Sequence, residues 1–372
     1  MAFLGKVRAL TRIPLSSLAH VARYRLGVKT GIHPVFRIQP APPARGEFFE
    51  TTASVPVGAE PTAVWRDGPW AFGRQVGPSS TTPPDWHANI LTGGRVPGAH
   101  RRWDRIPSFS ADFGDIKAVW EASRFDWVLS FAQVARAGGA KAVARLNAWL
   151  DDWNDHNPPY LGPNWMCGQE ASIRVAHLVL AARILGSARS VSPALQSLIL
   201  THLRRIAPTT AYARGQDNNH GTSEAMGLFL GGLWLQRISP DADVRQECAG
   251  YTETGRRLAE DRVRKLVFAD GGFAQYSLVY HRLLLDSLSL MELWRRDWAA
   301  EPFSETFIEA ARAATEWLED FIDAESGDVP NLGSNDGAWW LPLGPATSRD
   351  FRPSVALAST LFRHQTRFSG AS

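Results

Sequence analysis

Cysteine is scarce: two in 372 residues, Cys167 and Cys248, far apart and without metal-ligand spacing. That leaves no basis for a disulfide framework or a zinc centre, and the expectation is two buried thiols of a reducing compartment, with no metal and no cofactor. Long apolar runs are also missing. None reaches the length of about 18 residues that a membrane-spanning helix needs. The charge is mild, a net +3 with a pI near 9.0. So small an excess argues against nucleic acid as the partner, and it is compatible with an anionic one. No signal-peptide core is evident, because residues 13–22 are interrupted by Pro14 and by Ser16 and Ser17. By default this points to the cytoplasm. No strict repeat of the kind that marks a helical-repeat array is found.

What remains is a chain able to bury a large core, with 44% hydrophobic residues and fifteen Trp against six Tyr. Indole packs cores well and also matches the apolar face of a sugar ring, and about two-thirds of these Trp are expected to be structural. Residues 1–46 carry eight Lys or Arg and no acid, which reads as a solvated, partly disordered basic arm. Residues 40–110 are rich in Pro, Gly, Thr and Trp and read as irregular structure with a few short strands or turns. From Asp112 onward helical periodicity dominates. Candidate helices span 115–137, 141–154, 166–187, 193–213, 219–237, 243–266, 276–298, 304–323 and 353–365. Short connectors such as Gly138-Gly139, Asn157-Pro158-Pro159 and Asp270-Gly271-Gly272 favour antiparallel neighbours, hence stacked hairpins. The expectation is an all-α protein in two parts: a basic, irregular region over 1–110 and a helical domain over 111–372.

Two segments carry chemistry. One runs from Asp217 through Asn218, Asn219 and His220 to Glu224; the other is Tyr280-His281-Arg282. An amide, an imidazole and a phenol in separate helices are the groups needed to remove a proton from the carbon beside a carboxylate. That carboxylate resists the further charge of an enolate, so it must first be neutralised. Asn and His N–H groups can do this as an oxyanion hole does. A Tyr near a cation can then move the proton, and the positive neighbours His281 and Arg282 would lower its pKa from about 10. Asn219 and His220 fall at an expected helix start, where a cap and free N–H groups favour an anion. Glu224 lies four residues after His220 and could orient it. Tyr276 lies one turn before Tyr280 and reads as a packing residue.

Four segments in order resemble the N-terminal domain of the heparinase II/III-like polysaccharide lyases, over roughly residues 86–362. They are Asp115-Ile116-Lys117 with Trp120-Glu121 and Arg124-Phe125; Asn164-Trp165 with Glu170 and Arg174; Asn218-Asn219-His220 with Glu224; and Asp270-Gly271-Gly272 through Gln275, Ser277, Tyr280, His281 and Arg282. Asn335-Asp336-Gly337 is a weaker echo, and reads first as a turn. The resemblance implies an incomplete (α/α) toroid of helical hairpins with a cleft across it. It implies Asn219, His220 and Tyr280 as catalytic residues of β-elimination on an acidic, uronate-containing polysaccharide or oligosaccharide, with Tyr280 as acid and base. Asn164, Trp165, Glu170, Arg174, Glu224, His281 and Arg282 are the candidates for substrate binding. Trp165 would stack on a sugar and Arg174 would hold a carboxylate or sulfate; a Glu170–Arg174 helix salt bridge is the bland alternative. Glu121 and Arg124 are expected to be structural.

Members of the family usually carry a β-sandwich after the toroid that contributes a further catalytic His, and no run of alternating strands follows Phe362. A separate β-sandwich chain is therefore a candidate partner, and weak activity of this chain alone is the expectation. Lyases of this type often work in the periplasm. Two other classes stay open: a non-catalytic glycan-binding or polysaccharide-assembly subunit, and a toroid glycoside hydrolase using a pair among Glu170, Glu224 and Asp336.

Overall fold

A computed structural model describes residues 14–40, 42, 45–50, 60–139, 141–363 and 367–368. Among these residues the protein is all-α, with two two-residue hairpins as its only sheets. The helices are α1 (Leu15–Thr30), α2 (Lys117–Trp120), α3 (Asp126–Arg136), α4 (Ala142–His156), α5 (Gly168–Ile184), α6 (Pro193–Ile206), α7 (Thr210–Gly215), α8 (Asn219–Ile238), α9 (Ala242–Leu266), α10 (Leu278–Asp297), α11 (Glu305–Glu319) and α12 (Arg352–Phe362). In the hairpins β1 (Trp70–Ala71) pairs antiparallel with β2 (Arg74–Gln75), and β3 (Phe109–Ser110) with β4 (Gly114–Asp115).

Helices pack as sequential hairpins: α3 on α4, α5 on α6, α8 on α9 and α10 on α11. The first helix of each hairpin also packs on the first helix of the next, in the series α3, α5, α8, α10, α12. This is the incomplete toroid of hairpins expected from the sequence. The inner helices show it in their burial, since α5 is buried over every residue from Gly168 to Ala182, whereas outer α9 buries only a stripe. A helix apolar all round belongs inside, and one with a single apolar face belongs at the surface.

Several boundaries differ from expectation for local reasons. The segment 115–137 is broken because buried Phe125 takes a left-handed conformation, φ 70°. Its ring is held edge-on between Trp127 and Trp153, packing that offsets the backbone strain. The segment 193–213 is divided around Pro208, which lies in a 3₁₀ turn between α6 and α7, because proline cannot complete the hydrogen-bond ladder. Residues 15–30, expected to be a solvated tail, form α1, which packs on α7 through stacked Tyr24 and Tyr212 rings 4.0 Å apart. Ser17 anchors it by donating to Asp217 at 2.6 Å. The first thirteen residues of the basic arm lie outside the described residues.

Irregular backbone needs polar partners that helices supply internally. Asn147 of α4 accepts from Phe48 and Phe49 N–H and donates to the Phe49 carbonyl at 2.8 Å. Gln133 of α3 accepts from Thr62 N–H, and Asp152 of α4 accepts from the Trp86 indole at 2.6 Å. The described residues around Phe48, Thr62 and Trp86 are thereby fastened to the helices.

The close fit of the inner layer rests on glycines of α8. A Cβ at Gly227 would come within 2.6 Å of Ser172 on α5, and one at Gly232 within 2.8 Å of the α9 backbone at Thr252. From the other side, a Cβ on Gly255 of α9 would lie 2.6 Å from the backbone N of Phe229. Backbone cannot step aside as a flexible side chain can. Gly255→Ala is therefore expected to destabilise the fold by about 1–3 kcal/mol, the range for overpacking a dense core, outweighing the gain in helix propensity. Urea unfolding followed by far-ultraviolet circular dichroism measures this, and an unchanged midpoint would mean that the two helices separate freely.

Candidate functional site

The ends of the inner helices meet. Asn219, first residue of α8, donates from its side chain to Gln169 at the start of α5 (2.8 Å) and from its backbone N–H to Gln275, just before α10 (3.1 Å). Arg124, two residues before α3, forks onto Glu170 in the first turn of α5 at 2.9 and 3.1 Å. The N-termini of α3, α5, α8 and α10 are thus held side by side. The first-turn N–H groups lack intrahelical partners and each helix start carries a partial positive charge, so together they favour an anion. Each sequence motif begins beside an inner helix start, although not every residue in it faces this place.

Local caps set the geometry. Asn218 caps α8 by accepting from His220 N–H at 3.0 Å. Ser277 caps α10 by accepting from Tyr280 N–H, while its hydroxyl donates to the Ser334 carbonyl and ties the 331–337 loop to the site. That loop carries Asp336, which accepts the Tyr280 phenol at 2.7 Å and lies 3.7 Å from Lys117 Nζ. The phenol is half-buried. Burial, then the Asp336 carboxylate, raises its pKa well above the ordinary value, with Arg124 working against them.

This direction opposes the expectation that His281 and Arg282 would lower it. Both are buried and turn away from the phenol. His281 bonds the Ala314 carbonyl at 2.8 Å and stacks on Trp317, and burial lowers it to about 4. Arg282 donates to the carbonyls of Ser348 and Ala338 and lies over Phe351. Adjacent residues on a helix leave in different directions. Tyr276 is not a packing residue: it precedes α10 with φ 51° and is 70% exposed, beside Phe268.

His220 is partly exposed, with Nδ1 3.8 Å from Glu224 Oε1 and 4.0 Å from Cys167 Sγ. Burial disfavours its charge, yet the Cys167 sulfur and then the Glu224 carboxylate outweigh this and push the imidazole up to about 10. At neutral pH it is a cation. In that form it can face a negative group.

The second motif is placed differently from expectation. Trp165 is 1% exposed, packed against Trp153, Tyr160 and His202 with its indole N–H on the Asn157 carbonyl, so no face is open for a sugar. Asn164 is fully buried and donates to Trp86 O and Asn157 Oδ1. Arg174 is likewise buried, bonding His202 Nε2 at 2.8 Å and the Asn164 carbonyl at 2.7 Å. It neither pairs with Glu170 nor reaches the cleft, and burial lowers its pKa to about 10. These three residues act in the core. Glu170 and Glu121 both bind Arg124. Ten of the fifteen Trp are buried, leaving Trp70, Trp120, Trp298, Trp317 and Trp339 partly accessible. Trp70 and Trp339 line a pocket with Glu121, Arg124, Asp126 and Gly337, next to Asp336. Sequence reasoning missed Gln169, Asp126 and the thiol of Cys167, which carry no pattern of their own.

No family model matches the chain, and no curated protein matches it. Among solved structures it is similar to a heparinase III gene product with methylated lysines, at 15% identity over 58% of this chain and 36% of that one, with a TM-score of 0.40. It is also similar to heparan sulfate lyase HepC from Pedobacter heparinus, at 19% identity over 60% of this chain and 35% of that one, with a TM-score of 0.41. The chain spans about a third of the length of each. Likeness at this level does not speak to the reaction. Among the described residues no helix is long and apolar enough to cross a membrane, and no cluster of three or more His, Cys, Asp or Glu could hold a metal ion.

The imidazoles should separate by NMR titration. The His220 ring should stay protonated until pH approaches about 10, whereas His177 and His281, each lowered to about 4, should stay neutral through the physiological range. Since the folded His220 value lies above the unfolded one, its contribution to stability is complete below about 6.5 and is lost as pH rises towards 10. A His220 midpoint near 6.5 would remove the ion cluster from the account.

Proposed function

We propose that the protein acts as a polysaccharide lyase on an acidic, uronate-containing glycan by β-elimination. The observation that carries the proposal is the convergence of inner-helix N-termini around Asn219 and a cationic His220, with a protonated Tyr280 at the same end of the helices. In this reading Asn219 and His220 face the uronate carboxylate and stabilise the charge that grows as the C5 proton leaves. Their donors and the helix N-termini are fixed before substrate arrives, so no reorganisation is needed at the moment of reaction.

Tyr280 enters as the acid that protonates the leaving oxygen. Its raised pKa supports that role, since the phenol keeps its proton at neutral pH. Asp336, which accepts the phenol hydrogen bond at 2.7 Å, holds Tyr280 in place and favours its protonated form. Neither histidine of the motifs fits the base. His220 is a cation there, and His281 is enclosed behind Trp317.

An ultraviolet-absorbing unsaturated uronate released from a panel of acidic glycans is the expected product. A new reducing end without that absorbance would mean hydrolysis, and binding without either product would mean a glycan-binding protein. Tyr280→Phe keeps the ring and loses the proton, so turnover should fall by about two to four orders of magnitude with little change in Tm. Near-normal lyase activity in that variant would remove Tyr280 from the mechanism. For Asn219→Ala, turnover should drop more than substrate affinity, because the charge it meets is larger in the transition state. If KM alone moves, Asn219 only positions the glycan.

A further inference from the structure

The outward face of α1 is apolar where a surface helix ordinarily turns polar side chains to water. The opposite face, with Ser17, His20, Tyr24 and Gly27, packs on the protein. Ser17 bonds Asp217, Tyr24 stacks on Tyr212, and a Cβ on Gly215 would lie 2.7 Å from His20 Cβ. On the outward side Leu15, Ala19, Ala22 and Leu26 follow one another at steps of four, three and four residues, which lines them up along the helix. All four are exposed, Leu15 at 84% and Leu26 at 62%, and Ile32, just past the Gly31 cap, adds a further side chain at 69%. Arg23 lies on one flank of this row and Arg25 and Lys29 on the other, all of them exposed.

Two properties of this face select its occupant. Its charge is of one sign, since residues 1–46 hold eight Lys or Arg and no acid, so an anionic surface is favoured over a neutral one. Its centre is leucine, which a hydrated, highly charged polysaccharide has no apolar region to receive, whereas the boundary between lipid headgroups and acyl chains does. The flanking basic side chains can bury their methylenes at that boundary while their charged ends reach the phosphates. We infer that the outward face of α1 docks on a bilayer surface rich in anionic lipid, with Leu15, Leu26 and Ile32 entering the headgroup region. Such a helix lies in the surface and does not cross it, in keeping with the lack of a membrane-crossing helix among the described residues. Through Ser17 and Asp217, two residues before Asn219, docking holds the start of α8 near the bilayer.

The experiment is co-sedimentation of the full chain with large unilamellar vesicles, either of phosphatidylcholine alone or of phosphatidylcholine and phosphatidylglycerol in equal parts. Partitioning onto the anionic vesicles should exceed that onto the neutral ones by at least about tenfold and should weaken as salt is added. Leu15→Ser combined with Leu26→Ser should lower it by about tenfold, and Arg23→Gln combined with Arg25→Gln by at least about as much. All four side chains are exposed, and circular dichroism checks that each variant is folded; if neither is, the wild-type lipid preference decides alone. A wild-type chain that stays in the supernatant overturns the inference. In that case retention by polygalacturonate would assign the face to a glycan, and a dimer in analytical ultracentrifugation would assign it to a second copy. Equal partitioning onto both vesicles, or unchanged binding in the folded leucine variant, overturns it as well. No turnover is read, so failure of the lyase reading leaves this result untouched, and the reverse also holds.

Discussion

Everything at the site depends on how closely the inner helices approach one another. Where α8 meets α5 and α9, glycine lets backbone come within distances that a Cβ would forbid, as at Gly227, Gly232 and Gly255. Close packing of this kind is stiff. It fixes the helix N-termini to within a hydrogen bond of each other, and the direct ties Gln169–Asn219 and Gln275–Asn219 follow from that spacing. The first-turn N–H groups then have no intrahelical partners, so polar side chains collect there to meet them. The chemistry-bearing residues sit at the helix starts for the same reason.

Holding so many charges in a dry place has a cost, and the arrangement around Arg124 meets it by pairing. One guanidinium serves Glu121 and Glu170, while Asp126 nearby has His177 at 3.6 Å, and burial, then Glu121, pushes its carboxyl up to about 8. Removing a single partner from such a set leaves a buried charge uncompensated, which is worse than never having had the pair. Glu121 and Arg124 therefore act on the cleft through its wall. Glu121 also accepts from Phe72 N–H at 2.6 Å, which ties the β1–β2 hairpin and its Trp70 to the pocket.

The helices were legible because apolar periodicity over ten or more residues is a strong signal, and the hairpin order followed from the short connectors. The breaks at Phe125 and Pro208 were harder to read: tertiary packing fixes the first, and proline is tolerated in a turn at the second. Asn219, His220 and Tyr280 are brought to neighbouring helix starts by structure. What spacing alone could not supply was direction. Glu170 and Arg174 have the separation of a helix salt bridge, yet one meets Arg124 and the other His202. Trp165 looked like a sugar platform and is enclosed by Trp153, Tyr160 and His202. Residue type tells what a side chain can do, but burial decides what it is free to do. Asp336 was read only in part: Asn-Asp-Gly is first of all turn chemistry, and its carboxylate was weighed for hydrolysis but not as the acceptor of the Tyr280 phenol.

Two proton-bearing centres emerge at the ends of the inner helices, and their environments push them in compatible directions. Around Tyr280 burial and an adjacent carboxylate favour the neutral phenol; around His220 a sulfur and a carboxylate favour the charged ring. A donor of protons and a fixed positive charge are thus kept distinct by placement on α10 and α8. Their separation matters because a cation in direct contact with the phenol would draw off its proton and merge the two roles. The Glu224 carboxylate, 3.8 Å from His220 Nδ1, compensates within the fold for the desolvation that would otherwise disfavour the charged ring.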